Sequence, residues 1–368
     1  MILRSCATIT ILLIAVLALP APAAQRNKKD IPFADLPVRQ PREDNKKDLP
    51  PPAPPSREPR PAVSADTSRL VFRTSTLSAK GLLSQQTRDA LRGLVRAHGA
   101  EEVLKLRAFV AGSGDMRRVQ EIAAEVFADK RDLPALTVVQ VGALPLDRAQ
   151  VIVESTAEAR KPVNPNGVAF VSAQPAPSLA GAVSKVKALL EGGGMRMGSL
   201  LRMTCFVSNL DGVPAQPVGV PIPVTMVQMQ REPVRPIAAC EAIARVEQPR
   251  TEPVQFVDGT SGGPEMAVVS APRVVMTGSQ LGFGAQEPDV KLAFERLQKD
   301  IHDAKGDLRR TVMAHYYVLS GGVWEQVRKL RVEFEGTALP ASTMLSFEGL
   351  PSMDAAFAMD VVALPAGQ

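Results

Sequence analysis

Two periodicities alternate along this chain from Leu70 onward. One is helical. Leu83, Thr87, Leu91, Leu94, Val95 and His98 share a face, and Gly99 follows as a stop. Ser178 stands as an N-cap before Leu179, Val183, Val186 and Leu190, with Gly192-Gly193-Gly194 closing the segment. Pro288 opens a third stripe, Val290, Phe294, Leu297 and Ile301, which Gly306 is expected to end. Two more helices are predicted on Met116, Val119, Ala123, Val126 and Phe127, and on Val323, Val327, Leu330 and Phe334. Such stripes are core faces and carry no ligand role.

The other periodicity is strand-like. Arg107-Ala108-Phe109-Val110, Thr204-Cys205-Phe206-Val207 and His315-Tyr316-Tyr317-Val318 each follow a helix that ends near glycine. Each precedes a proline and two further strand-like runs. Pro134, Pro221 and Pro340 stand 20 positions before Glu154, Glu241 and Asp360, respectively. Pro134 to Pro145 and Pro340 to Pro351 are both 11 apart, marking one turn twice. The chain therefore reads as one unit written three times. The middle copy is degenerate: Phe206 to Pro221 is 15 residues, against 25 for Phe109 to Pro134 and 23 for Tyr317 to Pro340. Its shortened stretch, Asp211 to Pro217, cannot host a second helix, because proline removes a donor and clashes with the preceding turn. The first copy is short at its start, with Leu70 to Ser78 as opening strand.

Residues ahead of these units follow other rules. In 1–23, Arg4, the apolar Ile9 to Leu19 and Ala21-Pro22-Ala23 form a secretory signal, too short for a permanent membrane span. Residues 24–65 hold ten prolines and mixed charge, which predicts a disordered, semi-stiff linker. Pro50 to Pro55 could also dock a protein partner. The units are then 66–159, 160–249 (the degenerate one) and 250–368, and the expected location is secreted or periplasmic.

Charge sharpens this picture. The formal net charge is +5, of which leader and linker carry +4, leaving the body at +1. A nucleic-acid partner is therefore not expected. After leader removal Cys205 and Cys240 remain, either as one bond or as two buried thiols. His98, His302 and His315 share no ligand spacing, so neither a metal site nor another cofactor is implied.

The repeated residues resemble the reactive-intermediate deaminases, the RidA or YjgF family, also named for L-PSP endoribonuclease. Unit three carries the resemblance best, in Gly263-Pro264, Val269, Arg273, Ser279-Gln280-Leu281-Gly282, Leu339-Pro340-Ala341 and Leu350-Pro351. Unit one repeats it in Leu133-Pro134-Ala135 and Val139 to Pro145, and unit two in Ser172-Ala173-Gln174 and Glu241 to Ala244. The resemblance implies an α+β fold of three tandem RidA-like, chorismate-mutase-like units. Each would be a mixed β-sheet backed by one or two helices, and the three would pack as a pseudo-trimer in a monomeric chain. Relatives are homotrimers with pockets between subunits, so pockets between units are expected.

The resemblance also implies a chemistry this chain has lost. The family hydrolyses enamines or imines and grips the substrate carboxylate with the arginine of Pro-Ala-Arg. Here Leu136, Pro223 and Ser342 occupy that position. The family's water-handling glutamate, two residues before the retained acid, is replaced by Ile152, Ala239 and Ala358, and Glu265 replaces an opening-loop aromatic. The candidate pocket set is Leu136, Glu154, Ser172, Gln174, Glu241, Glu265, Ser279, Gln280, Ser342 and Asp360, with no catalytic residue assigned. Arg107, Arg202 and Arg245 could restore a carboxylate site from another strand, but the sequence does not place them. The preferred expectation is a module that binds a small molecule at the unit interfaces, or a protein. The alternative is an imine or enamine deaminase with a rearranged site, and ribonuclease activity is least favoured.

Overall fold

The computed structural model describes residues 57–367, except 113, 215, 231–236 and 261. The expected leader, and the proline-rich segment up to residue 56, lie outside the described residues. In chain order the first elements are β1 (Ala62–Asp66), β2 (Leu70–Thr74), α1 (Leu83–His98), β3 (Glu102–Ala111), α2 (Arg117–Val126), β4 (Ala135–Val141) and β5 (Val151–Glu158). Then come β6 (Val168–Ala176), α3 (Leu179–Gly192), β7 (Leu200–Val207), β8 (Val224–Gln228) and β9 (Ala238–Arg245). The last stretch holds β10 (Val254–Asp258), β11 (Pro264–Val269), β12 (Arg273–Thr277), β13 (Gln280–Phe283), α4 (Glu287–Asp303), β14 (Gly306–Val318), α5 (Gly321–Glu335), β15 (Ala341–Ser346) and β16 (Ala355–Pro365).

These strands form three mixed sheets in which one four-strand order recurs. Sheet one runs β2-β5-β3-β4, sheet two contains β6-β9-β7-β8, and sheet three contains β12-β16-β14-β15. In each the last pair is parallel and the rest antiparallel. A parallel pair needs a crossover, which α2 and α5 supply in sheets one and three. Between β7 and β8 no helix forms among the described residues, as the prolines there dictate.

The helices behave as their stripes predict. Gly99 ends α1 at φ 58, a conformation open to glycine. Ser178 caps α3 by accepting from Gly181 N at 3.2 Å. α4 starts at Glu287 with Pro288 in its first turn, but ends at Asp303, and Gly306 opens β14 instead of closing the helix. α1 and α2 cover one face of sheet one, α3 one face of sheet two, and α4 with α5 one face of sheet three. Leu91 and Leu94 are fully buried there, each worth about 1.5–3 kcal/mol of transfer free energy.

Two boundaries differ from the sequence reading. The linker was expected to run through residue 65, yet Ala62–Asp66 is a strand, paired antiparallel with β12 (Val63 opposite Met276). Val63 and Ala65 are buried, which gives these residues a reason to order that a short run after a proline tract did not advertise. Likewise Val254–Val269, expected in the third unit, adds β10 and β11 to the edge of sheet two through β6. Cys205 and Cys240, directly opposite on β7 and β9, are joined by a disulfide. No described helix is long and apolar enough to cross a membrane.

The uncovered faces of the three sheets turn toward one another. One shared apolar cluster gathers Phe72 and Leu104 from sheet one, Phe170 and Ile243 from sheet two, and Met276, Met313 and Val362 from sheet three. A second gathers Phe109, Ile152, Phe206, Val227, Tyr317, Phe347 and Ala358. Between these two apolar layers lies a polar one.

Candidate functional site

Strand alternation builds the polar layer. On β3, β7 and β14 the residues Arg107, Thr204 and His315 stand directly opposite Glu154, Glu241 and Asp360 of the antiparallel neighbours β5, β9 and β16. Across the parallel pairs they stand beside Thr137, Thr225 and Thr343. Residues two positions away share the face. Lys105 and Arg202 therefore point the same way as Arg107 and Thr204, while Leu106, Ala108 and Cys205 point to the helices.

The three acids are held across sheet boundaries. Glu154 accepts from Arg107 Nε at 2.8 Å and from the Thr204 hydroxyl of sheet two, and Arg202 Nη2 approaches it at 3.6 Å. Glu241 accepts from Arg107 Nη2 of sheet one and, at 3.0 Å, from Thr343 of sheet three. His315 Nε2 lies 3.2 Å from the same carboxylate, while its Nδ1 lies 3.1 Å from Asp360. Asp360 also accepts from Lys105 Nζ at 2.6 Å, Thr137 at 2.8 Å and Tyr317 at 3.1 Å.

Burial and pairing compete at every group. Burial alone would raise the carboxyls, but Arg107 and Arg202 hold Glu154 below its usual range. In the same way Arg107 and His315 hold Glu241 down, and Lys105 and His315 hold Asp360 well down. Burial would lower His315, yet Glu241 and Asp360 lift it. Burial wins at Lys105 and Arg202, which stay lower than usual despite Asp360 and Glu154. The three acids are thus held toward their ionised form by their partners.

Below this layer Phe109, Phe206, Phe347 and Tyr317 form an aromatic floor of edge-on pairs, with centroids 5.2–5.9 Å apart. Ile152 and Ala358, two residues before Glu154 and Asp360, pack into that floor. Above the charged groups a cavity of ≈ 50 Å³ remains, bounded by Phe72, Lys105, Arg202, Met313 and His315 among others.

Of the ten residues singled out in sequence, the structure brings only Glu154, Glu241 and Asp360 to this centre. Leu136 and Ser279 meet at a seam between sheets one and three, where Ser279 N donates to Leu136 O at 3.0 Å. The approach is close enough that a Cβ on Gly278 would sit 2.9 Å from that carbonyl. Ser172 donates to Glu265 O at 3.0 Å and accepts nothing from the centre; Gln174 donates to Ser172 O at 3.1 Å. Gln174 and Glu265 border a separate groove of ≈ 300 Å³ beside α3. Gln280 bonds the neighbouring Leu281 carbonyl, and Ser342 accepts from Arg331 of α5. The other seams are closed too: Thr74 and Thr225 hydroxyls lie 3.3 Å apart, and Ala173 N donates to Thr343 at 2.8 Å.

Lys105, His315 and the threonines were not singled out, although the signal existed. Arg107, Thr204 and His315 each begin the aligned strand runs, in register with the acids. Of the arginines, Arg107 and Arg202 reach the centre, whereas Arg245 donates to Asn164 Oδ1 at 3.2 Å elsewhere. A serine–histidine–acid relay also exists: His98 Nε2 is 2.8 Å from Ser155 Oγ and Nδ1 is 2.7 Å from Glu101. Ser155 is 0% exposed, so no acyl group reaches it, and the relay serves to satisfy buried polar atoms. No cluster suited to a metal ion occurs among the described residues.

Comparison with known proteins adds the following. Residues 71–159 match the family model described as endoribonuclease L-PSP. No curated protein matches the chain. Among solved structures, a YjgF/YER057c/UK114-family member from Mycobacterium tuberculosis is similar at 19% identity and TM-score 0.23, covering 24% of this chain and 77% of that one. A putative endoribonuclease from Thermotoga maritima is similar at 16% identity and TM-score 0.24, covering 26% and 80%. A chorismatase is similar at 10% identity and TM-score 0.39, covering 81% of this chain and 76% of that chain.

Proposed function

Since residues 71–159 belong to the endoribonuclease L-PSP (RidA/YjgF) family, we propose that the whole chain is a catalytically silent, exported elaboration of it that works by binding. In this reading the three sheets are three family-like units in one polypeptide, acting as a monomer. The recurring four-strand order, the shared inner face and the strands exchanged between sheets support it. Joining the units frees each from its neighbours' sequence, so a symmetric set of sites can decay into one asymmetric centre. The leader supports export, and so does the Cys205–Cys240 bond, since disulfides persist in oxidising compartments.

One observation carries the loss of catalysis. Each acid retained on a closing strand is bound to a cation or hydroxyl of another sheet, and the position that should grip a carboxylate holds Leu136, Pro223 or Ser342. A carboxylate whose pKa is held down by an ion pair is a weak base and has no proton to give to a leaving group at neutral pH. The module's site is then the central cavity.

The deaminase reading has one observation in its favour, the guanidinium of Arg202 at that cavity. Size favours the binding reading. The cavity measures ≈ 50 Å³, whereas a buried site that accepts benzene measures about 150 Å³, and 2-iminobutyrate is larger than benzene in heavy atoms. Generating 2-iminobutyrate in situ and following 2-oxo acid release tests the proposal. The expected rate equals that of buffer. Acceleration that Glu154→Gln or Asp360→Asn abolishes would restore the enzyme.

A further inference from the structure

The charge least provided for in the centre is the Arg202 guanidinium. It makes no hydrogen bond among the described residues. Its neighbours are Glu154 Oε2 at 3.6 Å and the face of Phe72, 5.4 Å from the ring centroid. A guanidinium carries five N–H donors in a planar fork, and this one is half-buried, its side chain 11% accessible where it lines the cavity, so free donors face that space. Arg107 and Lys105, by contrast, donate to carboxylates at hydrogen-bond distance.

Charge balance points the same way. Both ring nitrogens of His315 face carboxylate oxygens, at 3.1 and 3.2 Å, and only the doubly protonated ring donates to both. Three carboxylates then stand against Lys105, Arg107, Arg202 and a charged His315, leaving one positive charge unmatched. Lys105 feels the repulsion of both Arg107 and Arg202. The cavity beside these groups, ≈ 50 Å³, exceeds the roughly 10–15 Å³ that one water requires and falls well short of the about 150 Å³ that takes benzene.

We propose that the central cavity binds one small monovalent anion, a halide or a one-carbon carboxylate, on the open edge of the Arg202 guanidinium. This rests on the reading of the cavity as the protein's binding site. The anion completes the fork's hydrogen bonds and neutralises the surplus charge. His315 sets the affinity. The groups that face it are Glu241 from β9, Asp360 from β16, Thr343 from β15 and the stacked Tyr317, with Lys105 and Arg107 of β3 behind the two acids. When the ring loses its proton the centre becomes neutral, and the anion loses its counter-charge.

Sodium bromide is the probe, used with the whole chain. Wild type at pH 6 should show a saturable rise in Tm of several degrees, smaller at pH 8.5, and Arg202→Met should show none at the same salt. His315→Gln should weaken the bromide midpoint at pH 6 by roughly tenfold or more. Equal bromide responses in wild type and Arg202→Met would overturn the proposal. If Arg202→Met does not fold, anomalous diffraction from bromide-soaked wild-type crystals decides. A peak against Arg202 supports the site, and an unoccupied cavity refutes it. Imine hydrolysis would sink the binding reading whatever bromide does, whereas no bromide effect in an inert protein sinks only the anion.

Discussion

Arg107 is the residue on which the centre turns. Its fork serves Glu154 within its own sheet and Glu241 of the next, while its plane lies 5.1 Å from the Phe109 centroid. Removing it leaves two buried carboxylates without their main cation, a case that costs about 3–5 kcal/mol. Arg107→Met should therefore lower the unfolding free energy by about that amount in urea titration. Arg107→Lys keeps the charge, but a point ammonium does not span both acids, so an intermediate loss is expected. Much of this was legible in sequence. The 20-residue spacing from proline to acid located Glu154, Glu241 and Asp360, and strand alternation places Arg107, Thr204 and His315 beside them. What was not legible is the partner across a sheet boundary, since no local pattern links Lys105 to Asp360, 255 positions away.

Elements were read best where a period and a stop signal coincided. α1 and its Gly99, α3 and its Ser178 cap, and the helix-free connection in the middle unit follow directly from local rules. β1 and the β10–β11 pair escaped that logic. Their identity as strands depends on an edge offered by another sheet, so short segments without alternation of their own become ordered only in three dimensions. The ten candidate residues are spread over several places for a related reason. Where the sheets meet, backbone and hydroxyl hydrogen bonds such as Ser279 to Leu136 and Ala173 to Thr343 hold them together. Sheet two, with no helix between β7 and β8 among the described residues, carries the disulfide across β7 and β9. Closing a loop of 35 residues by this bond should contribute about 3–4 kcal/mol. Cys205→Ser with Cys240→Ser, or reduction of the wild type, should lower the denaturation midpoint accordingly, with Arg107-dependent stability unchanged.

At the scale of the whole molecule, three sheets that each need one face covered by helices and the other by their fellows enclose a layer of opposed charges. That layer costs desolvation, which the ion pairs and hydroxyl hydrogen bonds across the sheets offset. The most direct measurement is the pH titration of the Glu154, Glu241 and Asp360 side-chain carboxyls by carbon-detected NMR. Their values are depressed in the folded chain, so their contribution to stability is complete above the ordinary carboxylate range near pH 4.5 and is lost only as pH falls through the lower, folded values. All three carboxyls should be mainly ionised at pH 4.5 and titrate below it. A carboxyl among them that titrates at or above that pH, with its resonance moving through the neutral range, would show an acid free to exchange protons and contradict the silent centre.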